Sequence, residues 1–513
     1  MGSFPWETLF LHMSAWECGW SAVIAWSAIV FVGVLTLKTL AARTRNGKNT
    51  KRLAPGPRGI PLLGYLPFIW KPYHVVFHEL SKRYGPIVRV RLGDKDVVVL
   101  HDLKSIREAL TNPDVLYRPR DFLFNYLGVE GIAVMNGQPW QTNRRYCFHV
   151  LRNLGFAKKS MEEHIHEELQ CFTDLLSSSK GKPMLVAQPL VSSVANNISA
   201  LVFGRRYGLD DAKGRHVVGQ LSKFLRYGNF FSVLDFLPVV RLLAFYIPYT
   251  SLRVMRSISK ELTKVVREEI KQREENTDDK LEADFIDGYM RKIKENEGTD
   301  SHYNLKYLEG NALNFYGPAT NPVRTIILWL VYLVASDPDG VQASIQQEID
   351  SVIGRQRAPE WNDRNKMPFT MASILETLRW RTTAPLSLHR AAGRDTTIGG
   401  YDIPAGTLVV PNLSTLHNDP EHWPNPSQFD ATRFLNADGT EVDEKSLAYM
   451  PFSIGRRACP GETLALMEIF LYVTTMLQKF RVLPEEGKTI SLEIQRALLD
   501  VVDETQGLRF IPR

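Results

Sequence analysis

The sequence predicts a mainly α-helical protein with a small β-rich portion and an N-terminal transmembrane helix. Three observations lead to this fold class. Long helical hydrophobic patterns dominate from about residue 102 to Leu378, whereas runs of β-branched residues occur around residues 86–101 and again after Pro385. In addition, residues 18–37 carry no charge. Such an uncharged run of helical length near the N-terminus is typical of a membrane anchor.

Residues 18–37 form the predicted anchor. A helix of this length rises about 30 Å, which matches the hydrocarbon core of a bilayer. The acidic residues Glu7 and Glu17 precede it, whereas Lys38 is the first of several basic residues that follow. By the positive-inside rule, residues 1–17 are expected in the lumen and the bulk of the chain in the cytosol. A buried helix is the alternative, and the charge asymmetry disfavours it.

Residues 38–61 form a basic and proline-rich linker. Its prolines at positions 55, 57 and 61 fix the backbone angle φ and cannot continue a helix. This segment is therefore expected to be a stiff, extended connector. The large folded domain that follows is expected to span residues 62–513.

Two parts of this domain are predicted to form strands. Ile87–Leu92 and Asp96–Leu100 are rich in β-branched residues and are separated by a Gly-Asp pair, which is typical of a hairpin. After Pro385, short runs such as Thr397–Tyr401 and Leu408–Val410 alternate with turns, and a strand-like segment closes the chain. Helices account for most of the remainder.

Composition excludes several classes of protein. The net charge of +6 is scattered over 513 residues, with no block of five or six like charges, which argues against nucleic-acid binding. An apolar content of 44% is enough for a large core. The four cysteines are too widely spaced for a zinc site or a disulfide framework, which indicates a reducing compartment; they are Cys18, Cys147, Cys171 and Cys459.

The segment Pro451–Gly461 carries the strongest chemical signal. It places Cys459 just before a predicted helix, Thr463–Phe480, whose positive end and exposed N–H groups favour a thiolate. Gly455 allows a close backbone approach to a flat ligand, and Arg457 can pair with a carboxylate. A thiolate is a donor that haem iron accepts. A buried structural cysteine in a loop-to-helix turn is the alternative.

This segment resembles the cysteine loop of the cytochrome P450 family, Phe-x-x-Gly-x-Arg-x-Cys-x-Gly. The fixed positions of that pattern are Phe452, Gly455, Arg457, Cys459 and Gly461. The resemblance covers essentially the whole chain and implies the cytochrome P450 fold. It also implies haem b as the cofactor, with Cys459 as the axial thiolate ligand of the iron and with Phe452 and Gly455 in the cofactor-binding loop.

The resemblance also implies partners for the haem propionates. Trp140 and Arg144 match the family's Trp-x-x-x-Arg helix, and residues four apart share a helix face. Arg118, His389 and Arg457 are further candidates by the same comparison. The alternatives are ordinary packing for the Trp140 and Arg144 pair and a satisfied core histidine for His389.

A second set of residues is expected to be structural. Glu376 and Arg379 lie three apart on one predicted helix and resemble the family's Glu-x-x-Arg motif, for which Arg433 is the third partner. The expected role is a buried ion network that supports the cysteine loop. Ala431 and Thr432 stand where the family usually has proline before that arginine, but the arginine itself is kept.

The predicted distal helix, Leu305–Ser336, departs from the family pattern. Members usually carry an acid followed by threonine there, which supply protons for oxygen chemistry. Counting back from Trp329 places Asn321 and Pro322 at these two positions, and neither can relay a proton as the acid and alcohol do. Thr320 is then the nearest hydroxyl. Proline at positions 318 and 322 is expected to kink or open the helix.

Three functional hypotheses follow. The first is a monooxygenase that uses O2 and receives electrons from NADPH–cytochrome P450 reductase, with cytochrome b5 as a further electron donor. The second is a haem-thiolate isomerase or dehydratase that rearranges a hydroperoxide, endoperoxide or aldoxime without O2. The third is a haem protein without turnover. The basic residues Arg145, Arg152 and Arg456 fit a reductase dock on the cysteine side of the haem.

The resemblance is strongest to the animal microsomal branch of the family. It implies a single-pass protein of the endoplasmic reticulum membrane, in contact with membrane lipid, with a cytosolic catalytic domain and a small apolar substrate. The expected pocket-lining segments are Phe122–Tyr126, the aromatic stretch Phe224–Phe245, Phe315 with Tyr316, and Thr383–Leu388.

Overall fold

The computed structural model is a helix-rich fold with small sheets, as predicted. It describes residues 52–119, 127–156, 158–208, 211–227, 233–237, 240–241, 244, 246–247, 250–275, 284–299, 302–443, 446–494 and 502–513. The helices within these ranges are α1 (Tyr73–Tyr84), α2 (Leu103–Thr111), α3 (Gly137–Asn153), α4 (Lys159–Ser178), α5 (Ala187–Phe203), α6 (Ala212–Tyr227), α7 (Val233–Phe236), α8 (Ser251–Glu275), α9 (Phe285–Glu295), α10 (Leu305–Ser336), α11 (Val341–Val352), α12 (Pro368–Trp380), α13 (Leu413–His417) and α14 (Glu462–Lys479).

The strands form one four-stranded sheet and two two-stranded sheets, β4 with β5 and β7 with β8. Their bounds are β1 (Ile87–Leu92), β2 (Lys95–Leu100), β3 (Arg390–Ala391), β4 (Thr396–Ile398), β5 (Tyr401–Ile403), β6 (Leu408–Pro411), β7 (Phe480–Pro484) and β8 (Leu508–Pro512). The larger sheet has the order β1-β2-β6-β3, with β2 and β6 parallel and the other pairs antiparallel. The predicted hairpin of β1 and β2 is confirmed, as is the short strand at Leu408.

Local sequence explains where the principal helices begin. The side chain of Asn304 accepts a hydrogen bond from the amide of Tyr307 at 2.9 Å and so caps the start of α10. Asp102 caps α2 in the same way through the amide of Ser105, also at 2.9 Å. Gly461 immediately precedes α14, which begins one residue before its predicted start. The cysteine loop therefore runs directly into a buried helix.

The core is organised around α10. This helix of 32 residues packs along α5 and α14, and most of its side chains are buried. Trp329 is fully buried and meets the ring of Trp380 edge-on, with the ring centroids 5.8 Å apart. Because α10 is apolar on nearly every side, it forms the central wall of the molecule.

Some predictions concern residues outside the described ranges. The lumenal segment 1–17, the anchor 18–37, most of the linker 38–61 and the pocket segment 122–126 lie there. Within the described part of the chain, α10 is the helix long and apolar enough to cross a membrane, but 83% of its most apolar window is buried inside the protein. A helix that is buried to this extent belongs to the core of the domain.

Candidate functional site

The cysteine loop is held in one conformation by backbone contacts. The amide of Cys459 donates to the carbonyl oxygen of Phe452 at 2.8 Å, which closes the loop on itself. Gly455 has a φ of +77°, and a Cβ atom there would collide with the backbone of Leu110. Glycine is therefore required at this position by both conformation and space. The result is a rigid turn that presents the Cys459 side chain just ahead of α14.

Neighbouring groups shift the pKa of the Cys459 thiol in opposite directions. Burial raises its pKa most strongly and the Glu462 carboxylate adds to this, while the Gly461 amide and the charge of Arg144 lower it. The net direction of the pKa is upward, in contrast to the expectation from the sequence that the helix end and nearby N–H groups stabilise a thiolate. A coordinated metal ion deprotonates a thiol outright, so the loop on its own does not need to supply all of that stabilisation.

A cavity of about 380 Å³ lies between the cysteine loop and α10. Cys459 and Phe452 line one side of it, and Pro318, Ala319 and Pro322 of α10 line the other. The fold thus brings together two segments that are at least 130 residues apart in the sequence, and a flat cofactor placed between them would face both.

Four arginines converge at one end of this cavity. Arg118, Arg144, Arg390 and Arg457 all line it. Burial lowers the pKa of Arg457 to about 9, and the charges of Arg390 and Arg144 contribute. Burial also lowers the pKa of Arg390 to about 10 and that of Arg118 well below its usual value. These guanidinium groups repel one another, so the cluster favours an anionic ligand.

Within the described part of the chain, the hydrogen-bond acceptors of these arginines are neutral. Arg457 donates to the carbonyl oxygens of Leu116, Ile132 and Met135, at 3.0, 3.1 and 2.6 Å. Arg118 donates to the carbonyl oxygen of Ala133 at 3.0 Å. Buried charges are normally paired with opposite charges, so two propionate groups would supply the counter-charges that these contacts do not.

Trp140 supports the same assignment. It is buried on α3, and the guanidinium of Arg457 lies over its ring, 3.7 Å from the centroid. Its indole Nε1 is buried and has no hydrogen-bond partner among the described residues. Buried donors are rarely left unpaired, so an acceptor on a bound group is expected here. A carboxylate between Trp140 and the arginines would satisfy this donor.

His389 immediately precedes β3, and Arg390 is the first residue of that strand. Arg390 lines the cavity beside Cys459, whereas His389 and Ala391 line a second cavity of about 390 Å³. The two cavities adjoin, since Arg118 lines both, and of this pair only Arg390 lines the one that contains Cys459. Sequence reasoning singled out His389 and missed Arg390. Burial and the charge of Arg118 lower the pKa of His389 to about 3.

The distal helix differs from expectation in two ways. It is a continuous α-helix through Pro318 and Pro322, rather than an opened one. Thr320 and Asn321 are buried and do not line the cavity, and the Thr320 hydroxyl donates to the carbonyl oxygen of Tyr316 at 2.8 Å. The side chain of Asn321 has a buried oxygen without a described partner. Pro322 is therefore the member of this trio that meets the cavity.

The ion network forms beneath the cysteine loop. Arg379 donates two hydrogen bonds to the carboxylate of Glu376, both at 2.7 Å, and both residues are fully buried. The Nε atom of Arg433 lies 3.3 Å from the same carboxylate. Arg379 also donates to the carbonyl oxygen of His417 at 2.7 Å. Glu376 and Arg379 lie in the fold interior, and none of the three residues lines the cavity.

The predicted pocket residues divide into two groups. Phe315 and several residues of 383–388 line the cavity, whereas Tyr316 turns away and packs against the ring of Phe203 at 5.3 Å. Sequence reasoning missed Phe148 and Glu468, which also line the cavity. Burial raises the pKa of Glu468 to about 8, while the Asn197 side chain lowers it, so this carboxyl is mostly neutral at pH 7.

Comparison with known proteins agrees with this arrangement. The family model for cytochrome P450 matches residues 54–506, which is most of the chain. The chain belongs to the cytochrome P450 family. It is 33% identical to cytochrome P450 2H2 of Gallus gallus over 490 residues, which cover 92% of this chain and 96% of that relative.

Two further relatives place the P450 in the animal microsomal branch. It is 34% identical to cytochrome P450 2F5 of Gorilla gorilla gorilla, over 86% of this chain and 89% of the relative. It is 32% identical to cytochrome P450 2A12 of Mus musculus, over 90% and 93%. Members of this family bind haem b through an axial cysteine thiolate and are generally monooxygenases. Microsomal members generally receive electrons from NADPH–cytochrome P450 reductase.

Proposed function

We propose that this P450 is a haem-thiolate monooxygenase that oxidises a small apolar substrate with O2 and with electrons from NADPH–cytochrome P450 reductase. The observation that carries the proposal is the cavity in which the Cys459 loop faces the apolar residues of α10. When bound, haem b would supply the oxygen-activating chemistry. The protein's contribution is to hold the cofactor, to exclude water and to position the substrate.

Each part of the site has a proposed role in holding haem b. Cys459 would be the axial ligand, on a loop whose conformation Phe452 and Gly455 fix. Trp140, Arg144 and Arg457 would bind the propionates, because their donors and charges converge without a described carboxylate. Arg118 and Arg390 belong to the same cluster. His389 is assigned to the wall of the neighbouring cavity.

The residues of α10 that line the cavity help to distinguish the two candidate reactions. Pro318, Ala319 and Pro322 present carbon to the cavity at the place where family members carry their alcohol. Thr320 and Asn321 do not line the cavity, so neither side chain can deliver a proton there directly for O2 activation. This observation also favours the second candidate, rearrangement of a preoxidised substrate, because such a reaction has no fixed demand for delivered protons.

One experiment separates the two reactions. The purified protein is incubated with candidate substrates, first alone and then with reductase and NADPH under ¹⁸O2. The proposal expects no product from the protein alone and ¹⁸O in the product when the reductase is present. Full turnover without reductase would reject the monooxygenase proposal and establish the isomerase or dehydratase alternative.

The proposed location is the endoplasmic reticulum membrane, with one N-terminal span and a cytosolic domain. The charge asymmetry around residues 18–37 supports this topology. Large exposed apolar side chains support contact with lipid: Trp70 is 81% and Tyr246 82% exposed. Trp70 follows the linker closely in the sequence, which would hold that side of the domain near the bilayer. Protease protection in microsomes tests this topology, since a cytosolic domain is digested without detergent.

The proposed electron donor would approach the cysteine side of the domain. Arg145, Arg152 and Arg456 are exposed there, and Arg456 lies over the Trp140 ring, 6.0 Å from its centroid. Positive patches steer acidic partners and raise association rates. Charge reversal at Arg145 should therefore raise the KM for reductase without altering the haem content of the protein.

A further inference from the structure

Asn314 places a polar group in the otherwise apolar wall that α10 presents to the cavity. The α10 residues that line the cavity are Asn314, Phe315, Pro318, Ala319, Pro322, Val323 and Ile326. Asn314 is the polar side chain of this set and stands one helical turn before Pro318. A lone amide in an apolar binding wall sets the orientation of a ligand.

The orientation of the Asn314 amide is fixed by its neighbours. Its Oδ1 atom accepts a hydrogen bond from the amide of Ala133 at 2.8 Å. Gly131 lies against the same oxygen, and a Cβ atom on that glycine would come within 2.5 Å of it. The carbonyl oxygen of Ala133 in turn accepts from Nε of Arg118 at 3.0 Å. The loop that contains Gly131 and Ala133 is therefore held by Asn314 on one side and by Arg118 on the other. Oδ1 of Asn314 is occupied by its hydrogen bond to this loop.

This leaves Nδ2 of Asn314 as a donor on the cavity side. No residue in the described ranges accepts a hydrogen bond from it, and Asn314 is partly exposed where it lines the cavity. In an α-helix, each carbonyl oxygen normally accepts a hydrogen bond from the N–H four residues later. Pro318 and Pro322 have no N–H, so the carbonyl oxygens of Asn314 and Pro318 lack this bond. A donor thus stands beside two carbonyl oxygens that lack their usual helical partner.

We propose that Asn314 determines specificity by binding an oxygen atom of the substrate, so that the ligand is an apolar carbon skeleton with one carbonyl or hydroxyl group. The amide Nδ2–H donates to that oxygen. A hydroxyl group would also donate to one of the two carbonyl oxygens of α10. This inference rests on the proposed function, because it concerns the substrate of the same cavity.

Asn311 provides a matched control for Asn314. It also lies on α10, and its Oδ1 accepts from the amide of Ile132 at 2.9 Å, so it anchors the same loop. Unlike Asn314, it is fully buried and does not line the cavity. A change at Asn311 therefore perturbs the loop without removing a donor from the cavity.

The test uses ligands of one shape: tetralin, 1-tetralone and 1-tetralol. Their Kd values are measured from the absorption change of the ferric, haem-loaded protein, which needs neither NADPH nor reductase. Asn314→Leu should raise the Kd for the two oxygen-bearing ligands about three- to tenfold and leave that for tetralin unchanged. If the affinity falls more for 1-tetralone, the substrate carries a carbonyl group. If it falls more for 1-tetralol, the substrate carries a hydroxyl group.

Two further comparisons keep the test decisive. Asn314→Asp retains the acceptor for the Ala133 amide and loses its donor once the new carboxyl ionises. It should therefore show the same selective loss as the pH of the binding measurement is raised, even if Asn314→Leu does not fold. Asn311→Leu should not show it. An equal effect on all three ligands, or the same selectivity loss in Asn311→Leu, would overturn the assignment. A protein that lacks the carbon monoxide spectrum of a haem thiolate fails the proposed function instead, before any ligand is added.

Discussion

The backbone amide of Met450 donates a hydrogen bond to Nε2 of His417 at 3.0 Å. Met450 immediately precedes the cysteine loop, and the carbonyl oxygen of His417 accepts from Arg379 of the buried ion network. His417 therefore connects Glu376 and Arg379 to the start of the segment that carries Cys459. Its Nδ1 lies 2.8 Å from the Thr382 hydroxyl, so both ring nitrogens are engaged.

The stability of the fold should depend on pH through His417. Burial and the charge of Arg379 lower its pKa from 6.5 to about 3, so the native state keeps the ring neutral. As the pH falls below 6.5, the unfolded chain gains a proton that the native state does not, and stability is lost. The expected loss is at most about 1.4 kcal/mol per pH unit down to about pH 3, with a constant contribution above pH 6.5.

Comparing His417→Gln with the parent protein isolates this contribution. The variant should be less stable at pH 7, but its unfolding free energy should change less steeply between pH 6 and pH 4.5. Urea unfolding followed by tryptophan fluorescence measures both. His149→Gln, at an exposed position on α3, is the control and should leave the slope unchanged. Parallel curves for parent and His417→Gln would contradict the assignment.

Removal of Glu376 should prevent haem incorporation. Glu376→Ala leaves Arg379 and Arg433 without their shared carboxylate, and breaking a buried pair in this way costs about 3–5 kcal/mol. The haem content and yield of the purified variant measure the loss. Arg267→Ala removes the surface pair between the exposed Arg267 and the partly buried Glu309, and should cost at most about 1 kcal/mol. A well-expressed, haem-loaded Glu376→Ala protein with altered substrate choice would show that the network has another role.

Cys459 should be the cysteine on which the thiolate spectrum depends. In Cys459→Ala, the reduced protein under carbon monoxide should lose the absorption band that is characteristic of the family. Cys171→Ala is the matched control, because Cys171 is exposed on α4 and remote from the cavity lining. An unchanged spectrum in Cys459→Ala would remove the central assignment of the site.

Arg390 should hold the cofactor more strongly than His389 does. Arg390→Met removes one of the clustered cavity charges, whereas His389→Leu changes the neighbouring cavity. Haem transfer to apomyoglobin measures the dissociation rate of the cofactor. We expect about a tenfold or greater increase for Arg390→Met, as for the loss of a charge-assisted hydrogen bond, and little change for His389→Leu. The reverse order would return the propionate role to His389.

Sequence reasoning predicted the fold class and the central helix because both follow from local pattern. The bounds of α10 were expected from its apolar run, and the hairpin of β1 and β2 from its turn residues. The choice between His389 and Arg390 could not be made in this way, because it depends on which of two adjoining cavities each side chain lines. The bond between His417 and Met450 joins distant segments, and no local pattern indicates it.

The helical period of α10 predicts which of its residues can meet the cavity. Residues three and four apart share a helix face, so Ala319, Pro322 and Val323 must point together and Asn321 must point elsewhere. The helical period alone therefore separates Pro322 from Asn321. The two prolines predict a kink or an opening of α10, but the helix does not open at either of them. Packing of α10 in the core holds it in helical form despite the loss of two backbone hydrogen bonds.

Pro322 is the position at which the choice between the two reactions can be tested on the protein itself. Threonine there would place a hydroxyl in the cavity and restore a backbone N–H for the carbonyl oxygen of Pro318. Valine has nearly the same shape and restores the same N–H without the hydroxyl. The pair Pro322→Thr and Pro322→Val therefore separates the effect of the alcohol from that of the repaired backbone.

If the enzyme activates O2, Pro322→Thr should keep or raise the fraction of NADPH that is converted into product, and Pro322→Val should not raise it. The physical reason is that O2 cleavage consumes protons, which a positioned hydroxyl can relay. Changing Asn321→Asp as well should add little, because its side chain is buried away from the cavity and a carboxylate there would lack a partner. If the enzyme rearranges a preoxidised substrate, the hydroxyl has no proton to deliver, and the two variants should turn over equally without NADPH. Product formation per NADPH, measured with ¹⁸O2 label in the product, distinguishes these outcomes.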